Sequence, residues 1–215
     1  IAYEPEQFSP VSVLTNSPNV MVVHPKLGVN SVKELIAKAK ANPDKLSFGS
    51  SGVGTTTHLA SELFKTMTST QMVHVPYKGA AAYLQDMTAG TLDMSFFLLG
   101  TALPQIKAGK LRAIAVGGEK RNPALPDVPT VAETVPGFVS TVWYGIVSAP
   151  RTSPAITTKL SAAMAEAMKQ PAITTLFTNR GLDVVGSTPA EMAALVKAEN
   201  ERWGRVVRAT GAKAE

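Results

Sequence analysis

The sequence predicts an α/β fold with a mostly parallel sheet, and three observations carry that prediction. Apolar β-like runs alternate with amphipathic helical stretches from about residue 20 to residue 116. Two of the strand-to-helix junctions are built from glycine and small hydroxyl residues: Ser50-Ser51-Gly52-Val53-Gly54-Thr55-Thr56-Thr57-His58 and Val75-Pro76-Tyr77-Lys78-Gly79-Ala80-Ala81. The 215 residues are 45% hydrophobic and 17% charged, enough apolar material for a sizeable core in one large domain or two small ones.

The elements follow in chain order. Val11–Thr15 and Asn19–His24 read as two strands split by the turn-like Asn16-Ser17-Pro18. Ser31 and Glu34 form a capping box for a helix over 32–41, which Asn42-Pro43-Asp44 stops. Leu46–Phe48 is a short strand running into the first glycine-rich junction, after which Leu59, Leu63, Phe64 and Met67 recur at helical spacing. Met72–Val75 is the next strand. It leads through Tyr77-Lys78-Gly79 into a helix bearing Ala81, Leu84 and Met87, closed by Gly90. Asp93–Leu99 and Leu111–Val116 are apolar enough to be covered on both faces, with a short helix over Leu103–Ala108 between them.

Residues 117–141 are rich in Pro and Gly and read as an extended connection, interrupted by one short helix capped by Thr130 and Glu133. Val142–Ser148 returns as a strand. Mainly helices follow: one starting at Ser153-Pro154 and lined by Leu160, Met164 and Met168, one over Pro171–Arg180 stopped by Gly181, and a last one capped by Thr188 and Glu191. Val184-Val185 is a short strand. One α/β unit therefore occupies 20–140. A second group of elements comes from 1–19 and 141–215, too poor in strands to form a lobe unaided. Strand-like segments near 11–24 and 139–147 cross between the two.

Composition narrows the function. The net charge of +5 comes from scattered residues with no basic stripe, which argues against nucleic acid as a partner. With no cysteine there is no disulfide, thiol nucleophile or Cys-based zinc site. His24, His58 and His74 share no ligand-like spacing, so no metal or other cofactor is expected. No apolar run reaches the roughly 18 residues that span a bilayer, so the chain is not itself expected to be membrane-embedded. The start, Ile1-Ala2-Tyr3-Glu4-Pro5, lacks the basic and apolar regions of a signal peptide.

The two junctions concentrate the candidate chemistry. A helix start offers unpaired N–H groups and a partial positive charge, which suits a small carboxylate. Ser51, Thr55 and Thr56 add hydroxyl donors, and Gly52 and Gly54 allow close backbone approach. His58 lies on the first turn after the loop, where packing or capping would also explain it. Lys78, beside Tyr77 and Gly79, is either a solvated lysine or an anion contact. The same residue types also suit a capped helix and a tight turn with no ligand. Residues 49–55 miss the phosphate-loop pattern, because Thr55 stands where lysine is required. Gly49-Ser50-Ser51-Gly52-Val53 lacks the last glycine of a nucleophile elbow. Asp93, Glu62 and Glu133 form no acid/base pair, and no nucleophile–base–orienter set emerges. An α/β hydrolase-like enzyme using Ser51 or Lys78 is the alternative to a binding protein.

Several runs together resemble one family. They are Ser51-Gly52-x-Gly54-Thr55 with His58-Leu59-Ala60-x-Glu62-Leu63-Phe64, then His74-Val75-Pro76-Tyr77-Lys78-Gly79, then Ile106-Lys107-Ala108-Gly109-Lys110-Leu111-Arg112-Ala113-Ile114-Ala115-Val116, then Arg121, and Leu125-Pro126-Asp127-Val128-Pro129-Thr130-Val131-Ala132-Glu133. The resemblance is to the Bug family, the periplasmic substrate-binding proteins of tripartite tricarboxylate transporters, and it covers essentially the whole chain. It implies a type II periplasmic-binding (Venus-flytrap) fold: lobe 2 at 20–140, and the remainder of an incomplete lobe 1 at 1–19 and 141–215. It implies a periplasmic receptor for a small organic acid or dicarboxylate, delivered to membrane permease subunits without catalysis. Ser51, Gly52, Gly54, Thr55, Thr56, His58, Tyr77, Lys78, Gly79 and Ala80 would then contact the ligand. Relative to the family pattern the chain reads as N-terminally truncated. Phe97 stands where many members carry an acidic residue, which implies a more apolar distal pocket and a ligand without an amino group.

Overall fold

A computed structural model gives the structure of the protein and describes residues 7–211. The sequence reading of Ile1–Pro5 lies outside them. The chain divides into two units, one made of residues 1–17 and 143–204, the other of residues 18–142 and 205–215.

The larger unit is a five-stranded sheet with helices on both faces. Its elements begin with the second half of β1 (Ser9–Val23), then α1 (Val32–Ala41), β2 (Ser47–Ser50), α2 (Thr56–Thr68), β3 (Val73–Pro76), α3 (Ala80–Ala89), β4 (Met94–Leu98), α4 (Leu99–Lys107) and β5 (Arg112–Val116). The strand order is β3-β2-β4-β1-β5. β2 pairs in parallel with both β3 and β4. β1 runs antiparallel to β4 and to β5. So β5 points the same way as β2, β3 and β4, and β1 is the one reversed strand of this sheet.

Alternation along the strands divides the core in two. Met21 and Val23 of β1 and Met94 and Phe96 of β4 face Val32, Leu35 and Ala39 of α1 and Ala60 and Phe64 of α2. Val20 and Val22 of β1 and Phe97 of β4 face Tyr83 and Met87 of α3 and Leu99 and Ala102 of α4. This is the period-two pattern of strands buried on both sides. Each such fully buried large side chain contributes about 1.5–3 kcal/mol of hydrophobic stabilisation. Phe138 closes the first layer, stacking on Phe96 at 5.6 Å and meeting Phe64 edge-on at 6.3 Å.

The local signals in the sequence have visible causes. Ser31 Oγ accepts the Glu34 N–H, and Glu34 accepts the Asn30 N–H, which starts α1. Gly90 ends α3 at φ +75°. The Thr130–Glu133 capping box is formed in both directions around a short 3-10 turn, Val131–Glu133. Its Glu133 is also gripped by Arg121 through two bonds of 2.9 and 2.7 Å. The guanidinium holds that carboxyl well below the usual carboxylate range, to about 2, with the Thr130 N–H adding to the effect.

Two expectations need correction here. The turn at Asn16-Ser17-Pro18 is absent, because β1 is one continuous strand of 15 residues. Thr15 and Asn16 pair with one partner strand, and Asn19 onward with β4. Pro18 falls in the gap between these ladders, where no N–H is needed. The helix predicted over Leu103–Ala108 begins earlier, directly at the end of β4, and carries Pro104 inside it.

The smaller unit pairs the first half of β1 with β6 (Thr141–Ser148) and β7 (Asp183–Val184). Its helices are α5 (Pro154–Met168), α6 (Pro171–Thr178) and α7 (Pro189–Thr210) as far as Gly204. The buried face of α5 is Thr157, Ser161 and Met168. Leu160, expected on that face, is 40% exposed. Ser161 is buried beside it, donating to Ser187 O at 2.9 Å, while Met168 is buried as expected.

Within the larger unit, β1 and the segments after β5 and before β6 meet at one tight crossing. Gly117 N donates to Asn19 O at 2.6 Å, Ser140 N to Gly117 O at 2.7 Å and Asn19 N to Ser140 O at 3.0 Å. A Cβ on Gly117 would lie 2.7 Å from Ser140 O and 3.1 Å from Asn19 O, both backbone atoms. Gly117→Ala is therefore expected to destabilise the protein by about 2 kcal/mol or more, read as a lower urea midpoint with an unchanged slope.

Candidate functional site

Parallel pairing sets the geometry of the two glycine-rich junctions. Ser50 is registered opposite Pro76 in the β2–β3 pair, so both strands end at the same sheet edge. α2 and α3 begin within a few residues of those ends. The loops touch: Tyr77 N donates to Ser50 O at 3.1 Å, and a Cβ on Gly52 would lie 3.5 Å from Tyr77 O. The first junction, through Ser50 and Gly52, is thus brought beside the second at Tyr77.

Three of the junction glycines are there for conformation. Gly52, Gly54 and Gly79 have φ of +130°, +78° and +116°, a region closed to most side chains. Neither helix start is capped by a side chain, and neither has an acid in its first turn. Their first-turn N–H groups have no intrahelical acceptor, and each start carries a partial charge of roughly +0.5.

The first loop is held from inside by its own polar groups. Thr57 is buried, and its Oγ1 accepts the Ser51 N–H at 3.1 Å while lying 3.1 Å from Ser51 Oγ and 3.2 Å from Thr55 Oγ1. The Thr55 hydroxyl donates to Gly52 O at 2.7 Å rather than capping α2. Gly52 N donates to Ser50 Oγ at 3.2 Å, and Gly54 N to His58 Nδ1 at 3.2 Å. The amides of Ser51, Gly52 and Gly54 are therefore already used. Those of the α2 first turn, starting with exposed Thr56, are not.

Beneath this loop lies a stack of rings. His58 lies 4.2 Å from His74, which lies 4.8 Å from Phe48. Ser50 Oγ is 2.7 Å from His74 Nε2. Burial lowers the pKa of both imidazoles. That of His74 falls to about 4, with His58 and Lys65 adding to the effect of burial. Both rings are neutral at pH 7. The second loop is tethered differently, by the Tyr77 hydroxyl donating to Asp86 on α3. Burial first, and then that bond, push the Tyr77 hydroxyl up to about 12. Lys78 is exposed and enters no ion pair among the described residues.

Phe97 does not join the loops. It is fully buried, stacked on Tyr83 at 4.2 Å within the α3–α4 layer of the core. Period-two alternation turns it to that face, and it presents no surface to a ligand. His74 supports the loop from its strand, while Ser50, Thr57 and Asp86 are supporting residues that the sequence reading missed. The run Thr55-Thr56-Thr57 hints at hydroxyl bonding, but nothing local marks Asp86 as the partner of Tyr77. The smaller unit has a separate open cavity of ≈ 470 Å³, lined by residues including Asn16, Ser187 and Glu191. An acid in its wall makes it a poor seat for a carboxylate. Among the described residues no group of His, Asp or Glu is placed to hold a metal ion, and no helix is long and apolar enough to cross a membrane.

This α/β fold is of the type II periplasmic-binding class, which the chain shares with the solved periplasmic binding protein BugD at a TM-score of 0.83 and 27% identity, covering 99% of this chain and 73% of that one. More narrowly, the chain belongs to the tripartite tricarboxylate transporter family receptor (TctC) family, whose sequence model matches residues 1–212. It is 34% identical over 209 residues to protein BugT of Bordetella pertussis, covering 97% of this chain and 64% of that protein. The chain thus spans less than two thirds of the length of that curated relative. Its structure is similar to that of R. palustris Rpa4515 with adipate, at a TM-score of 0.87 and 36% identity, covering 98% of this chain and 71% of that one. It is also similar to MatC from Rhodopseudomonas palustris with bound malate, at a TM-score of 0.82 and 29% identity, covering 96% and 72%.

If the Tyr77–Asp86 bond braces the second loop, Tyr77→Phe should lower unfolding free energy by about 1 kcal/mol, the usual worth of one hydrogen bond. Chemical denaturation of the two proteins side by side measures it. An unchanged midpoint would mean that the tether contributes nothing.

Proposed function

We propose that this chain serves a periplasmic solute receptor that captures a small organic carboxylate, a dicarboxylate foremost, for the permease subunits of a tripartite tricarboxylate-type transporter. One observation carries the reading: two helix starts without side-chain caps follow neighbouring parallel strands at one sheet edge, with no acid in the first turn of either. A carboxylate accepting from several donors there forms charge-assisted bonds, the stronger kind. The donors are the first-turn amides of α2 and α3 with the hydroxyl of Thr56, and Lys78 supplies the full positive charge nearby. Gly79 and Ala80 leave the approach to α3 open. Adipate in Rpa4515 and malate in MatC support a linear dicarboxylate as the ligand class.

Catalysis has no support at either candidate group. Ser51 bonds to the Thr57 hydroxyl, and the nearby imidazoles are engaged by Gly54 and Ser50 instead. Lys78 is exposed, without the burial that would activate it as a nucleophile. The reading is therefore capture and release, with no bond made or broken.

A charge substitution separates binding from folding. Thr56→Asp places an acid in the first turn of α2, which should raise stability by about 0.3–1 kcal/mol. The same carboxylate should repel an anion, lowering affinity for malate or adipate by about tenfold or more. Titration calorimetry with both acids, alongside thermal melts, tests it. Unchanged affinity in the variant, or no heat with any small carboxylate, would overturn the reading.

A further inference from the structure

We infer that His58 and His74 are positioning residues: the stacked pair latches the first loop in its anion-ready form, and acid releases the latch. The inference rests on the receptor reading for its functional meaning, but its geometry stands alone. The two imidazoles each hold one glycine amide of the loop. His58 does so directly, with Nδ1 accepting from Gly54 N at 3.2 Å. His74 does so through Ser50, whose Oγ lies 2.7 Å from His74 Nε2 and accepts from Gly52 N at 3.2 Å. Gly52 and Gly54 are the two positions where the loop enters the left-handed region, at φ +130° and +78°. The hydrogen bonds and the backbone conformation therefore depend on each other.

Protonation breaks the His58 bond, and where His74 Nε2 is the acceptor it reverses the contact with Ser50. Nδ1 of His58 accepts, so its neutral ring carries the proton on Nε2. A proton added at Nδ1 would face the Gly54 N–H, donor against donor. A proton on His74 Nε2 would donate to Ser50 Oγ, leaving the serine proton only Gly52 O, at 3.2 Å. The whole ring stack resists charge. The two imidazoles lie 4.2 Å apart, so a charge on one opposes a charge on the other. His58 sits in the first turn of α2, at the positive end of that helix, where a cation is disfavoured.

The charged groups that act on the pair are Glu62 and Lys65, both on α2 and joined to each other at 2.8 Å. Lys65 also lies 5.3 Å from the Phe48 ring at the far end of the stack. β2 faces the pair with Phe48 and Ser50, neither charged. Asp93, just ahead of β4, is taken up by Ser47 N and Oγ at the opposite end of β2 from the loop.

The sign follows from burial. The folded imidazoles titrate below 6.5, His74 at about 4. The unfolded chain takes its protons first as pH falls. Their contribution to stability is full above about pH 6.5 and drains away between there and about pH 4. The loop itself loosens toward the lower end of that window, as the folded rings charge.

The test follows the amide resonances of Gly52 and Gly54 by 15N–1H NMR from about pH 7.5 to about pH 4, without ligand. His58→Asn and His74→Gln keep an acceptor at the same place along the side chain but cannot be charged. Thermal melts at about pH 7.5 establish that each variant is folded. In the wild type both glycine resonances should move with a histidine titration. Gly54 should stop responding in His58→Asn, and Gly52 in His74→Gln. Malate affinity should fall about fivefold more in the wild type than in the double variant across the same range, a ratio that cancels the ionisation of malate itself. Glycine resonances that stay flat, or that titrate in the variants as in the wild type, would overturn the latch. If malate and adipate fail to bind at any pH while the glycines titrate, the latch stands and the receptor reading falls.

Discussion

The constraint on which the rest depends is the parallel pairing of β2 with both of its neighbours. Parallel strands finish at the same edge, so whatever follows them must begin there. α2 follows β2 on one face of the sheet, and α3 follows β3 on the other. Opposite faces and a shared edge bring two helix starts together without crowding the helices themselves. Gly49 leaves room above β2 for the layer that packs on it. A Cβ there would lie 2.6 Å from Leu92 and 3.1 Å from Tyr83, so a bare backbone lets α3 sit down on β2. Its carbonyl accepts the Ser95 hydroxyl from β4 at 2.6 Å, which ties the two parallel strands behind the loop.

The reversed strand gives that edge its rigidity. β1 inserts between β4 and β5 and presents Val20, Met21, Val22 and Val23 alternately to both core layers. A strand buried on both faces contributes apolar area to each, so it couples them. The crossing of Asn19, Gly117 and Ser140 then fixes where this strand enters the sheet. Asn19 Nδ2 adds a bond of 2.6 Å to Ser140 Oγ, so side chains and backbone make the same junction. The edge carrying the loops is thus supported by long-range pairing rather than by loop contacts alone.

What could be read in the sequence is what local chemistry dictates. The Ser31 cap on Glu34 N (with Glu34 turned to Asn30 N instead of closing a box), the Thr130–Glu133 capping box, the stop at Gly90 and the glycine-rich junctions are each decided within a few residues. So is the alternation that marks β4 and β5 as doubly covered. The errors share one cause, a partner distant in sequence. Pro18 looks like a turn until one knows that the ladder changes partner on either side of it. Leu160 looks like core, yet its neighbour Ser161 is the buried one, bonded to Ser187. Phe97 looked like a pocket residue by position in a family pattern, yet its neighbour Tyr83 lies on a different element. The supporting contacts of the loops are closer in sequence but join a loop to the helix after it: Thr57 of α2 reaches back to Ser51, and Asp86 of α3 to Tyr77.

The inner hydrogen bonds of the first loop decide what kind of site it can be. A loop whose amides all point outward would be an anion trap, but its many unmade bonds would leave it mobile when empty. Here Ser51, Gly52 and Gly54 spend their N–H groups on Thr57, Ser50 and His58, and the loop keeps one shape without a ligand. The donors left over belong to helical turns, which are fixed by the helices themselves. An anion bound as proposed would meet donors already in place, which keeps the ordering cost of binding small. The same economy works against catalysis. Ser51 bonds to the Thr57 hydroxyl, His58 takes the Gly54 amide and His74 meets Ser50, so none of these groups forms a nucleophile–base pair with Ser51.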